Sequence, residues 1–129
     1  MRLAVALLCS GFLVAPVSAQ ERDIFKEKAC SACHAIGPGA GTKVGPHLNG
    51  IVGRPVGGLD DYNYSSALAA AEAKGQVWTR ELLGLYLKKP AHLFPGTTMN
   101  YAGIARRADI EELIDYLKGF PAEGAANSP

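Results

Sequence analysis

Near the end of the chain, Ile110, Leu113, Ile114 and Leu117 recur at the three- and four-residue spacing of a single helix face. They predict a helix from Asp109 to Gly119, with room for another turn upstream. Before it, Thr79 stands as an N-cap for "TRELLGLYLKK", a helix that stops before Pro90 because the residue preceding a proline is pushed out of helical conformation. "SSALAAAEA", Ser65 to Ala73, predicts a short helix capped by Ser65 or Ser66 and ended by Gly75. Glu21 to about His34 reads as a first helix, with Ile24 and Phe25 inward and Lys26, Glu27 and Lys28 facing water. Residues 37–58 are dense in glycine and proline and predict loop, as does "PAHLFPGTTMNYAG" after Pro90. No run of alternating β-branched residues supports a sheet. The pattern is all-α, with short helices and long loops wrapped around something rigid.

The start of the chain follows another rule. "MRLAVALLCSGFLVAPVSAQ" places Arg2 before an apolar run and ends on small residues, the layout of a cleavable secretory signal cut after Ala19. The run is too short to span a bilayer, and Cys9 inside it is passive and lost on processing. This divides the chain into a leader at 1–19, one compact domain at 20–121 and a frayed tail at 122–129. Loss of Arg2 leaves equal numbers of basic and acidic residues, which argues against a nucleic-acid partner. With no second apolar span, the mature chain is expected to be a soluble monomer with no stable membrane insertion, exported to the periplasm.

Export sharpens the meaning of "CSACH". Cys30 and Cys33 are the only thiols left after processing, and His34 directly follows the second. C-x-x-C-H admits a redox dithiol, half of a zinc site, or covalent haem attachment. A closed zinc site needs four ligands, and His34 adjoining Cys33 would strain a tetrahedral ion. A redox dithiol wants a βαβ setting, which the pattern lacks. Haem fits best: two thioethers through Cys30 and Cys33, with His34 beneath the iron. The other axial position decides between electron transfer and oxygen or peroxide chemistry. Met99 is the sole methionine besides Met1, and it follows a Pro-Gly turn in "FPGTTM". It is favoured as the second ligand over core filler, with His47 and His92 as competitors. His92, seven residues upstream, is the closer alternative.

Around these residues the chain resembles the class I cytochromes c, of the mitochondrial and bacterial cytochrome c2 type. Beyond "CSACH", the resemblance rests on "KVGPHLNGIVGR", "YNYSSAL", "VWTRELLGLYL", "PGTTMNYAGI" and "DIEELIDYL", in family order across residues 22–120. It implies the class I fold, in which first and last helices cross so that Ile24 or Phe25 meets Leu113, Tyr116 and Leu117. It implies one haem c on Cys30 and Cys33, axial ligands His34 and Met99, and a Pro46 carbonyl that accepts the other ring N–H of His34. Arg54, Tyr64 and Trp78 match positions around the haem propionates, and Tyr86 and Thr97 match positions beside the methionine. The chain departs from relatives that dock through a lysine ring: Ala29 and Thr98 stand where lysines would, and none follows Pro90 up to Met99. Leu68 replaces a family asparagine.

The resemblance implies a one-electron carrier and not an enzyme. Its partners would be redox proteins: a membrane oxidase, a reductase or a periplasmic dehydrogenase. A dedicated cytochrome subunit of a periplasmic oxidoreductase complex is the runner-up. A haem peroxidase is a third reading, and it would need a labile sixth ligand.

Overall fold

The computed structural model describes residues 22–123. The expected leader at 1–19 and the tail from residue 124 lie outside them. Among the described residues, five α-helices and one 3₁₀ turn make up the regular structure: α1 (Ile24–Glu27), the turn Cys30–Ala32, α2 (Ser66–Ala73), α3 (Arg80–Lys88), α4 (Pro90–Leu93) and α5 (Arg107–Lys118). Among the described residues there is no strand, and a single isolated bridge pairs Pro55 with Val77.

The first three α-helices begin where a side chain accepts one of the orphaned first-turn N–H groups. Ser65 Oγ accepts the Leu68 N–H at 3.3 Å, which settles the choice of cap in favour of Ser65. Thr79 Oγ1 accepts the Leu82 N–H at 3.1 Å, and Asp23 Oδ1 accepts the Lys26 N–H at 3.1 Å. The last helix starts at Arg107, two residues ahead of the expected Asp109.

Two expectations are corrected. The first helix does not run from Glu21 to His34. It ends at Glu27, because Ala29 adopts a left-handed backbone, φ +59°, and the chain re-forms only a 3₁₀ turn carrying Cys30. The segment after Pro90 is not loop throughout: Pro90 occupies the first turn of α4, where its missing N–H costs nothing.

The two ends of the described chain pack together. Ile24 and Leu113 are each 1 % exposed, and the Phe25 ring stacks on Tyr116 at 5.9 Å. That matches the crossing that the family pattern implied. Arg22 reinforces it, pairing with Glu27, with Glu112 at 2.8 Å and with the buried Asp109 at 3.2 Å. A second clamp joins α3 to α5: Arg80 meets Glu111 at 2.5 Å and Asp115 at 2.7 Å. In the long loop, Asn49 is buried and exchanges two 2.8 Å hydrogen bonds with the Gly37 backbone, closing residues 37–49 into a fixed turn. Gly103, at φ +103°, lets the chain pass against the end of α3. A Cβ there would fall 2.8 Å from the Lys88 carbonyl carbon.

Candidate functional site

The helices do not close on one another at the centre. They leave a largely apolar cavity walled by Phe25, Leu48, Ile51, Leu68, Leu83 and Leu87, among others. All ten residues singled out from sequence line it: Cys30, Cys33, His34, Pro46, Arg54, Tyr64, Trp78, Tyr86, Thr97 and Met99. His47 and His92 do not. His92 is exposed on α4, and His47 turns its carbonyl to Arg54 at 3.0 Å.

The 3₁₀ turn sets the first wall. It returns the His34 N–H to the Cys30 carbonyl at 2.9 Å, so the two thiols and the imidazole share one short stretch of backbone. His34 Nδ1 lies 2.7 Å from the Pro46 carbonyl. A carbonyl only accepts, so Nδ1 carries the proton and Nε2 keeps its lone pair. Burial holds the imidazole below its ordinary range, against the opposing pull of the Pro46 bond, and so keeps it neutral as a metal ligand must be. Gly45 backs the ring: its N–H bonds the Cys33 carbonyl at 2.9 Å, and a Cβ there would fall 2.7 Å from His34 Nδ1.

Facing this wall is the loop after α4. Tyr86 on α3 and Thr97 share a 2.7 Å hydroxyl hydrogen bond, and Thr97 Oγ1 accepts the Met99 N–H at 3.4 Å. Trp78 is 4 % exposed and packs on Tyr86 and Phe94 at ring separations of 5.0 and 6.0 Å. Phe94 and Tyr101 escaped the sequence reading. An aromatic two residues past Met99 was the available signal for Tyr101.

The donor set discriminates among the three chemistries of C-x-x-C-H. A redox dithiol works through a thiolate of lowered pKa; here burial pushes the Cys30 thiol up to about 11. Among the described residues, no three His, Cys, Asp or Glu side chains converge on a common metal position. Arg54 supplies the positive observation. Burial lowers its pKa, no acidic side chain of the described residues lies within ion-pair distance, and its Nη1 reaches only the His47 and Asn49 carbonyls, at 3.0 and 3.3 Å. Its Nε is buried without a partner. A half-buried cation beside an apolar cavity fits a ligand that brings its own carboxylates, as haem does.

The sequence profile of the cytochrome c family matches residues 21–120. The chain belongs to the cytochrome c family. Relatives of this cytochrome c include cytochrome c-550 of Ancylobacter novellus, 48% identical over 95 residues that cover 74% of this chain and 89% of that one. Cytochrome c2 of Agrobacterium tumefaciens (strain II Chrys) is 52% identical over 90 residues, covering 70% and 81%. Among solved structures, cytochrome c2 from Rhodospirillum centenum superposes with a TM-score of 0.70 at 30% identity, covering 77% of this chain and 93% of that one. The fold is therefore that of a class I cytochrome c, and the chain is an electron-carrying cytochrome. Cytochromes c bind one haem c covalently through a cysteine pair, and that pair is present here as Cys30 and Cys33.

Proposed function

We propose that this cytochrome c is a soluble one-electron carrier of the periplasm, with its iron held between His34 and Met99, and that it shuttles electrons between redox enzymes. What supports the reading most is that His34 and Met99 line one cavity, each steadied by its own hydrogen bonds, through Pro46 and Thr97.

Haem c supplies an iron that gains and loses a single electron. The chain's residues set the conditions. Cys30 and Cys33 would anchor the group, so that it is never lost between partners. The Pro46 carbonyl fixes the His34 ring and raises the basicity of Nε2. A Met99 thioether as second ligand would raise the potential. Arg54, Tyr64 and Trp78 would meet the buried carboxylates with charge and hydrogen bonds. The apolar wall excludes water, and His34 and Met99 together would leave no ligand position for a substrate. The partners would be a membrane oxidase, a reductase or a periplasmic dehydrogenase.

The visible spectrum of the ferric protein tests the ligation. A weak sulfur-to-iron band at the red end is expected, lost in Met99→Ala together with a lowered potential. A band that survives in that variant overturns Met99 as ligand. Cell fractionation with mass spectrometry tests the location: a periplasmic chain beginning at Gln20 is expected, and recovery with residues 1–19 still attached refutes export by cleavage.

A further inference from the structure

Tyr101 stands two residues past Met99 and lines the same cavity. Its hydroxyl donates to the Lys28 carbonyl at 3.0 Å, across 73 positions of sequence. Among the described residues, this is the only hydrogen bond between segment 22–36, which bears Cys30, and segment 94–103, which bears Met99. The Cys30 thiol also approaches this carbonyl, at 3.8 Å, but no backbone N–H does, and for a local reason. Ala29 is the only described non-glycine residue with positive φ, and the turn it makes leaves the Lys28 carbonyl without a backbone N–H. The Lys28 side chain is held as well, its Nζ lying 2.6 Å from Asp109 Oδ2, a carboxylate only 2 % exposed. On the other side, the Tyr101 N–H donates to the Met99 carbonyl at 3.1 Å. A continuous run thus leads from Asp109 through Lys28 and Tyr101 to Met99. Ala29, Thr98 and Asn100 are exposed, which puts the Tyr101 bond at the solvent edge of the cavity.

We propose that the Tyr101 hydroxyl is a latch. It positions the Met99 loop by fastening it to the Lys28 carbonyl, and it sets how readily an outside ligand takes the place of Met99. The inference rests on the Met99 ligation proposed above. An outside ligand enters only when the loop opens, so its apparent affinity contains the opening equilibrium as a factor. Loss of one neutral, half-buried hydrogen bond shifts that equilibrium by a factor of about five.

The test titrates imidazole into the ferric holoprotein at fixed pH, for wild type, Tyr101→Phe and Arg80→Gln. Phenylalanine keeps the ring and drops only the hydroxyl. Tyr101→Phe should bind imidazole about five-fold more tightly, and its Met99 and Tyr101 amides should exchange faster by a similar factor. Arg80→Gln breaks the ion pairs to α5 at the opposite end of α3; it should lower global stability and leave imidazole affinity unchanged. Equal affinity in wild type and Tyr101→Phe overturns the latch, as does an equal rise in Arg80→Gln. The wild-type spectrum separates the two levels. With the sulfur-to-iron band present, an unresponsive Tyr101→Phe removes the latch alone; with the band absent, the ligation and the latch fall together.

Discussion

Gly45 acts by lacking a side chain. Its backbone lies against His34 while its N–H holds the Cys33 carbonyl, so a methyl group there must push the imidazole off Pro46. Gly45→Ala is expected to cost about 1–3 kcal/mol, the usual range for overpacking, read from denaturant midpoints, and to perturb the ferric spectrum as well. Asp109 gives a pH signature. The hydrogen bond from Lys28, with Arg22 and Arg106 adding to it, holds its carboxyl below the ordinary range. Its stabilisation is therefore complete above the unfolded carboxyl value of about 3.9, and is lost as pH falls through the lower folded value. Asp109→Asn should be less stable near neutrality and show a flatter acid limb in urea midpoints measured across pH. A wild-type-like acid limb in that variant would remove Asp109 as the titrating group. At this scale the sequence announced what chemistry spells out in adjacent letters: Cys30, Cys33 and His34 stand in one motif, and Met99 was the sole thioether left. Tyr101 is marked only as an aromatic two residues past Met99, which says nothing of its partner. Its role depends on a carbonyl set free by a backbone turn at Ala29, and alanine is not a residue that signals left-handed geometry.

Among the elements, the helices that sequence marked best are those with a cap and an apolar face. Ser65 and Thr79 both cap as expected, and the spacing of Ile110, Leu113, Ile114 and Leu117 matches the buried face of α5. Ser65→Ala and Thr79→Ala should each lower stability by about 1 kcal/mol, a typical loss for an N-cap, measured by thermal or urea unfolding. A negligible effect at Thr79 would mean that burial of Leu83 and Leu87 holds α3 without its cap. The first helix is shorter than its sequence predicts because its composition favours helix up to Cys30, and only tertiary demand stops it. The Cys-bearing turn has to face the cavity, and a continuous helix would carry those residues round its axis. Helix α4 carries no sequence signature, because four residues are too few for any periodicity to register. The placement of Arg54 in the cavity wall was likewise unreadable from pattern alone, since an arginine in a glycine-rich loop looks like any solvated charge; it took the family resemblance to single it out.

Over the whole molecule the formal net charge is only +1, and several of the basic groups are already engaged. Lys28 is tied to Asp109, and Lys43 Nζ reaches the Ser31 carbonyl at 2.8 Å. Ala29, Val44 and Thr98 line the exposed side of the cavity without charge, and Val44 is 75% exposed. Long-range steering needs opposed net charge and fades over a screening length of about 8 Å at physiological ionic strength. Electron-transfer rates with a partner should therefore fall only gently across a salt series; a steep fall would reveal a basic patch stronger than these contacts allow. The meeting of α1 with α5 has a temporal consequence. A ribosome delivers Ile24 and Phe25 early and Leu113, Tyr116 and Leu117 almost last, so the first segment waits for most of synthesis without its packing partner. A chain that ends before α5 lacks Leu113, Tyr116 and Leu117, so Ile24 and Phe25, just ahead of Cys30 and Cys33, gain their packing partners only with the last helix.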